Sequence, residues 1–246
     1  MTPVRTAVIL AAGCGRRLGA LGQQRPKGLI EVDGQRLMDR SVAQLRKAGI
    51  ERIVLVVGHQ EQQYVQAFQD FADVEIHSTQ RYADTGSMYS LYSVRESVMD
   101  DFLLLESDLL YESRALPTLL RHDCENALLT SGWTGAGDEV WVDSLHGHLR
   151  ALSKNHGSLS AVCGELVGIT RVSVRLFAQM CEIAEQQFVA SLYLDYEVVV
   201  AMAAQTIPVC CPQVWDLAWT EIDDIGQWQR ATGVVVPRLK ARADWW

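Results

Sequence analysis

Apolar runs of strand length alternate with segments of helical period from the start of this chain, and few architectures accept that order. Ala7 to Ala12 is a continuous apolar run, after which Leu37, Met38, Leu45 and Ala48 recur at helical spacing until Gly49 ends the element. Arg52 to Val57 is a second strand, followed by a helix in which Tyr64, Phe68 and Phe71 fall three or four residues apart. Val74 to His77 is a shorter strand, and a loop at Tyr82 to Ser87 leads into a helix carrying Met88, Leu91, Tyr92 and Val98. Phe102 to Leu105 is apolar at every position, as a parallel strand covered on both faces should be. Strands separated by helices in this way predict an α/β fold with a doubly wound, mostly parallel, Rossmann-like sheet.

Beyond residue 125 the texture changes. Asn126 to Ser131, Val140 to Val142, Leu149 to Leu152 and Leu166 to Ile169 follow one another with little helical pattern between them, which predicts a small mixed or antiparallel extension. Helices return at Ser173 to Phe188 and Asp195 to Ala204, a strand is expected at Ile207 to Val209, and Asp223-Asp224 stands where a last helix would be capped. No repeat, low-complexity stretch or flexible linker interrupts the chain. Residues 1–246 are therefore expected to form one domain, with a first half of about 1–125 and a second of about 126–246 whose strands make a substrate-facing flap.

The balance of 48% hydrophobic and 21% charged residues excludes intrinsic disorder, and a mean hydropathy of +0.02 excludes a membrane-embedded chain. No apolar run approaches the roughly 20 residues needed to span a bilayer. Ala7 to Ala12 is too short for a signal peptide and is read as a mature first strand. Lys and Arg number 22 against 30 Asp and Glu, a formal net charge of −8, so neither nucleic acid nor an anionic bilayer is an expected partner. A polyanionic substrate would need a cation or a local cluster of Arg, Lys and amide groups. The six cysteines are sparse and contain no C-x-x-C pair, which points to a reduced, cytoplasmic setting.

Such a cluster exists near the start. In Leu10-Ala11-Ala12-Gly13-Cys14-Gly15-Arg16-Arg17-Leu18, a glycine turn leaving a strand lets successive amides face an anion, and Arg16, Arg17 and then Lys27 bring positive charge. A dinucleotide fingerprint would need Gly or Ala at Leu18 and a helix directly after the turn, where Gly19, Gly22 and Pro26 intervene. A P-loop would need Gly-Lys before Ser or Thr, which is absent. The bland reading is a tight turn with solvent-facing charges.

This segment, followed by Pro26-Lys27, resembles the signature of the nucleotidyltransferases that activate sugar phosphates and small phosphorylated alcohols. The resemblance implies the nucleotidyltransferase type of doubly wound sheet, with the backbone from Leu10 through Ala11, Ala12 and Gly13 to Gly15 holding the nucleotide. It places Arg17 on the departing pyrophosphate and Lys27 on the reacting phosphate. Arg16 stands where the family usually has Ser or Thr, so a hydroxyl contact is missing or replaced by a second cation.

Glu106 and Asp108 end the most apolar strand two residues apart, and such a pair can hold a divalent cation at the end of a parallel strand. By the resemblance Asp108 binds the Mg2+ ion and the nucleotide, and Asp223 in Glu221-Ile222-Asp223 completes the metal site. Glu106 replaces the more usual Asp. The alternative for Asp223 is a helix N-cap.

Tyr82 to Tyr92 resembles a loop that in cytidylyltransferases for phosphocholine and 2-aminoethylphosphonate meets base and ribose, which singles out Thr85, Gly86 and Ser87. Tyr193-Leu194-Asp195-Tyr196 resembles the segment near the acceptor's amino group, where a carboxylate among aromatic rings would attract an ammonium. Lys154 sits where relatives place a lysine over the acceptor phosphate or phosphonate. Tyr89, Tyr92, Tyr193, Tyr196, Trp133, Trp141, Trp215 and Trp219 have packing as their ordinary alternative. His146 and His148 are expected in a solvent loop.

The expected reaction is Mg2+-dependent transfer of CMP from CTP to a small phosphonate or phosphorylated amino alcohol, releasing pyrophosphate. The alternatives are a sugar-1-phosphate nucleotidyltransferase and a nucleotide-binding module without catalysis. Asp244-Trp245-Trp246 is read either as a patch packing against a second subunit of a homodimer or as a free end.

Overall fold

Alternate residues of the first strand, β1 (Thr6–Ala11), face opposite ways and are buried on both sides. Ala7, Ile9 and Ala11 enter one apolar cluster, Val8 and Leu10 another. The computed structural model, which describes residues 3–245, builds outward from this two-faced strand. A hairpin of β2 (Glu31–Val32) and β3 (Gln35–Arg36) follows it, and then β4 (Arg52–Val57), β5 (Val74–Ser78) and β6 (Phe102–Glu106). β4 and β6 flank β1 in parallel, with β5 parallel outside β4. This is the doubly wound parallel half that the alternating pattern predicts.

The helices divide between the two faces. Helix α1 (Ala20–Gln24) is one short turn beyond the glycine segment; α2 (Leu37–Lys47) and α3 (Glu61–Phe68) bury Met38, Val42, Leu45, Tyr64 and Phe68 against the Ile9 face. On the Val8 face lies α4 (Ser87–Tyr92) with Met88 and Leu91. The expected run of α4 to Val98 is cut short. Ser93 Oγ donates to the Ser90 carbonyl at 2.7 Å and the chain unwinds through tighter turns, though Val98 still reaches the core.

Two short elements escape sequence periodicity: β7 (Leu109–Tyr111) and α5 (Ala115–Leu120). Then come β8 (Ala127–Ser131), β9 (Trp141–Leu145), β10 (His148–Ser153) and the long β11 (Val162–Val172), which runs antiparallel to β6, β8 and β9. The resulting order is β10-β9-β11-β6-β1-β4-β5, so the antiparallel extension continues the parallel sheet. Helices α6 (Val174–Phe188) and α7 (Tyr196–Ala203) close the second face; Leu176 and Met180 are fully buried, each contributing about 1.5–3 kcal/mol relative to exposure.

Three further sequence expectations change. Ile207 to Val209 is not a strand: Pro208 has no amide to give a ladder, and pairing is confined to a bridge at Cys210 and to β12 (Gln213–Val214). Cys124 and Cys210 are joined in a disulfide, which the sparse cysteine count gave no reason to expect. The end of the chain packs on its own body, since Asp244 accepts the Ser113 amide at 2.6 Å and pairs with buried Arg40, whose guanidinium lies 5.0 Å from the Trp245 ring centre. Trp246 lies outside the described residues.

A third, smaller core explains the last helices. β13 (Trp219–Glu221) pairs antiparallel with β7, and Leu110, Ala218 and Ile222 meet Ala231, Val235, Val236 and Leu239 from the segment of α8 (Ile225–Arg230) and α9 (Val236–Ala241). Among the described residues no helix is long and apolar enough to cross a membrane.

Candidate active site

At the carboxyl end of β1 the chain must turn out of the sheet, and Gly15 makes this possible with φ of 59°, a left-handed conformation that costs other residues energy. Two single-turn helices, Arg16–Leu18 and Lys27–Leu29, then carry Arg17 and Lys27 back over the sheet end. β6 stops at Glu106, and after the turn at Ser107-Asp108 the two carboxylates take different partners: Glu106 accepts the Tyr196 hydroxyl at 2.7 Å, while Asp108 accepts Lys27 Nζ at 2.9 Å. Both still line the same cavity.

Asp223 arrives from the far end of the chain. The Ile222 amide donates to the Asp108 carbonyl at 3.0 Å, extending the β7–β13 ribbon and bringing Asp223 beside Asp108. Asp224, not Asp223, caps α8, accepting the Gln227 amide at 2.9 Å. Asp223 is thus free to receive both Lys27 and Arg17. Arg17 also lies 3.6 Å from Asp138, a residue of the 132–140 loop. Buried Gln227 ties this cluster together: its Oε1 accepts the Asp223 amide and its Nε2 donates to both Asp138 oxygens at 2.8 Å.

Arg17, Lys27, Asp108, Asp138 and Asp223 line a cavity of about 300 Å³ together with Leu10, Ala12, Gly13, Thr85, Gly86, Ser87, Lys154 and Asp195. Gly15 lines an adjoining recess with Arg16. Two predicted residues do not reach the cavity: the Ala11 side chain points into the core beneath β1, and Tyr196 is buried under the site with its hydroxyl on Glu106. Tyr193 is exposed and reaches the Ala83 carbonyl at 3.4 Å, and Tyr89 and Tyr92 pack on Phe188. Ser87 Oγ accepts the Tyr196 amide at 2.9 Å, and the Gly86 amide donates to the Leu192 carbonyl at 2.9 Å. A side chain at Gly86 would collide with the Leu194 backbone, so this glycine lets the two loops touch. Of the tryptophans, Trp219 lines the cavity and donates to Ser131 Oγ at 2.8 Å, Trp133 and Trp141 cluster with His156, and Trp215 is exposed.

Carboxylates outnumber cations around this cavity, and the electrostatics follow. Burial is the largest single influence on the Lys27 ammonium and would lower its pKa, but Asp108, Glu106 and Glu221 together outweigh it and hold the pKa above its ordinary value. Burial pushes Glu221 up to about 8, with Asp108 and Asp138 adding to it. Glu106 rises well above its usual range through burial, then through Glu197, Asp108 and Glu221. Glu165 and Glu197 are raised to about 7, chiefly by burial. Asp138, beside Glu139, and Glu165 and Glu197 belong to none of the motifs singled out in the sequence; the one sequence signal was Glu165 inside the otherwise apolar Gly164 to Ile169.

A divalent cation fits these residues. Asp108 Oδ1 is buried without a hydrogen-bond partner, every donor is a carboxylate oxygen, and Asp138, Glu221 and Asp223 present oxygens within 4.8 Å of one another. The Lys27 ammonium already stands between Asp108 and Asp223 as a positive charge.

Comparison with known proteins places the chain in a family and a fold. A profile for the MobA-like NTP transferase domain matches residues 7–169. A CMP-5'-(3-aminopropyl)phosphonate synthase of Streptomyces rubellomurinus is 29% identical over 93% of this chain, which spans only 38% of that longer protein. The choline-phosphate cytidylyltransferase of Streptococcus pneumoniae is 28% identical over 58% of this chain and 66% of its own length. The solved inositol-1-phosphate CTP transferase of T. maritima superposes with a TM-score of 0.79 at 20% identity, covering 92% of each chain.

Proposed function

The chain belongs to the MobA-like NTP transferase family, and from that premise we propose that it is a CTP-dependent cytidylyltransferase acting on a small phosphonate or phosphorylated amino alcohol. The observation that carries this reading is the convergence of Arg17, Lys27, Asp108 and Asp223 on one cavity at the head of the glycine turn. The acceptors named for the aminopropylphosphonate and choline-phosphate relatives support the substrate class.

In the proposed reaction an acceptor phosphonate or phosphate oxygen attacks the α-phosphorus of CTP, a new P–O bond forms, and the bond to the β-phosphate oxygen breaks to release pyrophosphate. The attacking oxygen is already anionic near neutral pH, so no general base is required. The protein's task is to bring two anions together in line and to stabilise charge growing on the leaving group. Lys27, released from Asp108 and Asp223 by the incoming phosphates, would contact the reacting phosphate, and Arg17 the pyrophosphate. The amides from Leu10 to Gly15 would hold the triphosphate, and Thr85, Gly86 and Ser87 the base and ribose. A magnesium ion would be held by Asp108 and Asp223 and would supply charge neutralisation for the phosphates. Lys154 would meet the acceptor's phosphonate and Asp195 its ammonium, dividing the chain into a nucleotide half of about 1–125 and an acceptor half of about 126–246.

Phosphorus NMR of the protein with magnesium, each nucleoside triphosphate in turn and a panel of acceptors tests this. Pyrophosphate and a CMP-linked product are expected with CTP and 2-aminoethylphosphonate or phosphocholine. Turnover with UTP and a hexose 1-phosphate would replace the reading with the sugar-phosphate one. Binding of CTP with no turnover for any acceptor would overturn catalysis.

A further inference from the structure

Away from the cavity, the segment around Cys210 is pinned on both sides. It bridges antiparallel to His148 on β10 and parallel to Ala127 on β8; its amide donates to the Asn126 carbonyl at 2.9 Å and its carbonyl accepts the Leu128 amide at 2.8 Å. Directly opposed residues of an antiparallel pair present their side chains on the same face. His148 Nδ1 accordingly lies 3.7 Å from Cys210 Sγ.

Cys124, the disulfide partner of Cys210, comes from the turn after α5, and His122 from the same turn. One ring nitrogen of His122 and both sulfurs lie within 4.8 Å of one another. The Cys124 amide, donating to His122 Nδ1 at 3.2 Å, holds the ring over that turn. None of the four side chains lines the active-site cavity. His122 thus stands within 4.8 Å of both sulfurs and His148 meets Cys210, where three separate stretches of chain are fixed by backbone hydrogen bonds.

Two thiolates with two imidazoles are a donor set that suits tetrahedral zinc. With Zn–S of about 2.3 Å and Zn–N of about 2.0–2.1 Å, a sulfur and a nitrogen on one ion stand about 3.6 Å apart. The His148–Cys210 separation already has that value. The disulfide is the feature that keeps the ion out, because bonded sulfurs carry no thiolate charge.

We propose that His122, Cys124, His148 and Cys210 form a second, non-catalytic site that holds one zinc ion when the cross-link is reduced. The exchange balances simply. A thiol reductant's thiolate attacks one cystine sulfur to give a mixed disulfide, a second reductant thiol displaces it, and two cysteine thiols and one oxidised reductant result. Zinc then replaces the two thiol protons, which leave to solvent. His122 and Cys124 are half-buried and His148 is exposed, so reductant and ion can both reach the site.

The test compares the full chain, oxidised and after reduction with a phosphine, with protein thiols counted in both states. Native mass spectrometry with added zinc should show one more ion per reduced chain than per oxidised chain, which keeps only the carboxylate site of the cavity. Cobalt in place of zinc should give the thiolate charge-transfer absorption that carboxylate sites lack. His148→Ala and His122→Ala, both at accessible positions, should each weaken zinc at least about tenfold, the scale that even outer partners of metal-bound histidines show. The paired variant Cys163→Ser/Cys211→Ser should leave uptake unchanged. The proposal is overturned if the reduced chain, with Cys124 and Cys210 counted as free, takes up no zinc beyond that of the oxidised chain or shows no thiolate absorption. Equal uptake by the oxidised chain, indifference to both histidine variants, or loss in the Cys163/Cys211 variant would overturn it equally.

Discussion

Lys27 neutralises two carboxylates at once, so its removal has two separable effects. Lys27→Ala should lower turnover by at least about 10²-fold, the scale for deleting one preorganised donor to transition-state charge, as read by pyrophosphate release. The same variant should melt lower without divalent cation and recover when magnesium is added, because Asp108 and Asp223 are left facing each other without a positive charge between them. A melting point indifferent to magnesium would contradict that account. Gln227 touches no expected substrate, yet it fixes Asp138 and Asp223. Gln227→Leu should therefore weaken the magnesium dependence of turnover by about 10- to 100-fold while CTP-saturated binding changes little. Arg17, Lys27, Asp108 and Asp223 were readable because each sits in a short, chemically peculiar string. Asp138, Glu165 and Glu197 were not, because an acid without a peculiar neighbourhood looks the same in solvent and in a site. Asp223 and Asp224 show the limit sharply: adjacent identical residues, one a helix cap and one facing Lys27, distinguished only by where the chain turns.

At the scale of elements, long periodic segments such as Arg52–Val57, Leu37–Lys47 and Val174–Phe188 were legible because burial on a fixed period leaves its mark on composition. β7 and β13, three residues each, are too short to carry any period, and α4 ends where a serine bonds back to its own helix. The division of labour at the start of α8 is testable. Asp224→Ala removes the cap and should cost about 1 kcal/mol, lowering the melting temperature by about 2–4 °C for a chain of this size. Turnover should stay near normal, since Asp223 is anchored separately by the ribbon and by Gln227. A large loss of activity at unchanged stability would mean that Asp224, not only Asp223, works in the site.

The molecule as a whole stores protons around its cavity. Glu165 and Glu197 keep theirs up to about 7, whereas in the unfolded chain they release them near 4.5. Between those values the folded state binds more protons than the unfolded one, so stability falls as pH rises through the window. Glu106 and Glu221 are displaced in the same direction and steepen the slope. Thermal melts of the ligand-free protein across that range should show the decline, and Glu165→Gln combined with Glu197→Gln should flatten it. A melting temperature that rises over the same interval would show these acids ionised in the fold.

The β7–β13 ribbon bears on synthesis as well as on turnover. Asp108 leaves the ribosome long before Asp223, and until Trp219–Glu221 docks on Leu109–Tyr111 the cation cluster has acidic company on one side only. A half-translated chain would carry its glycine turn with nothing to complete it. Under the proposed function such a chain would stay chemically silent, and competence would arrive when Trp219–Glu221 docks and brings Asp223 with it.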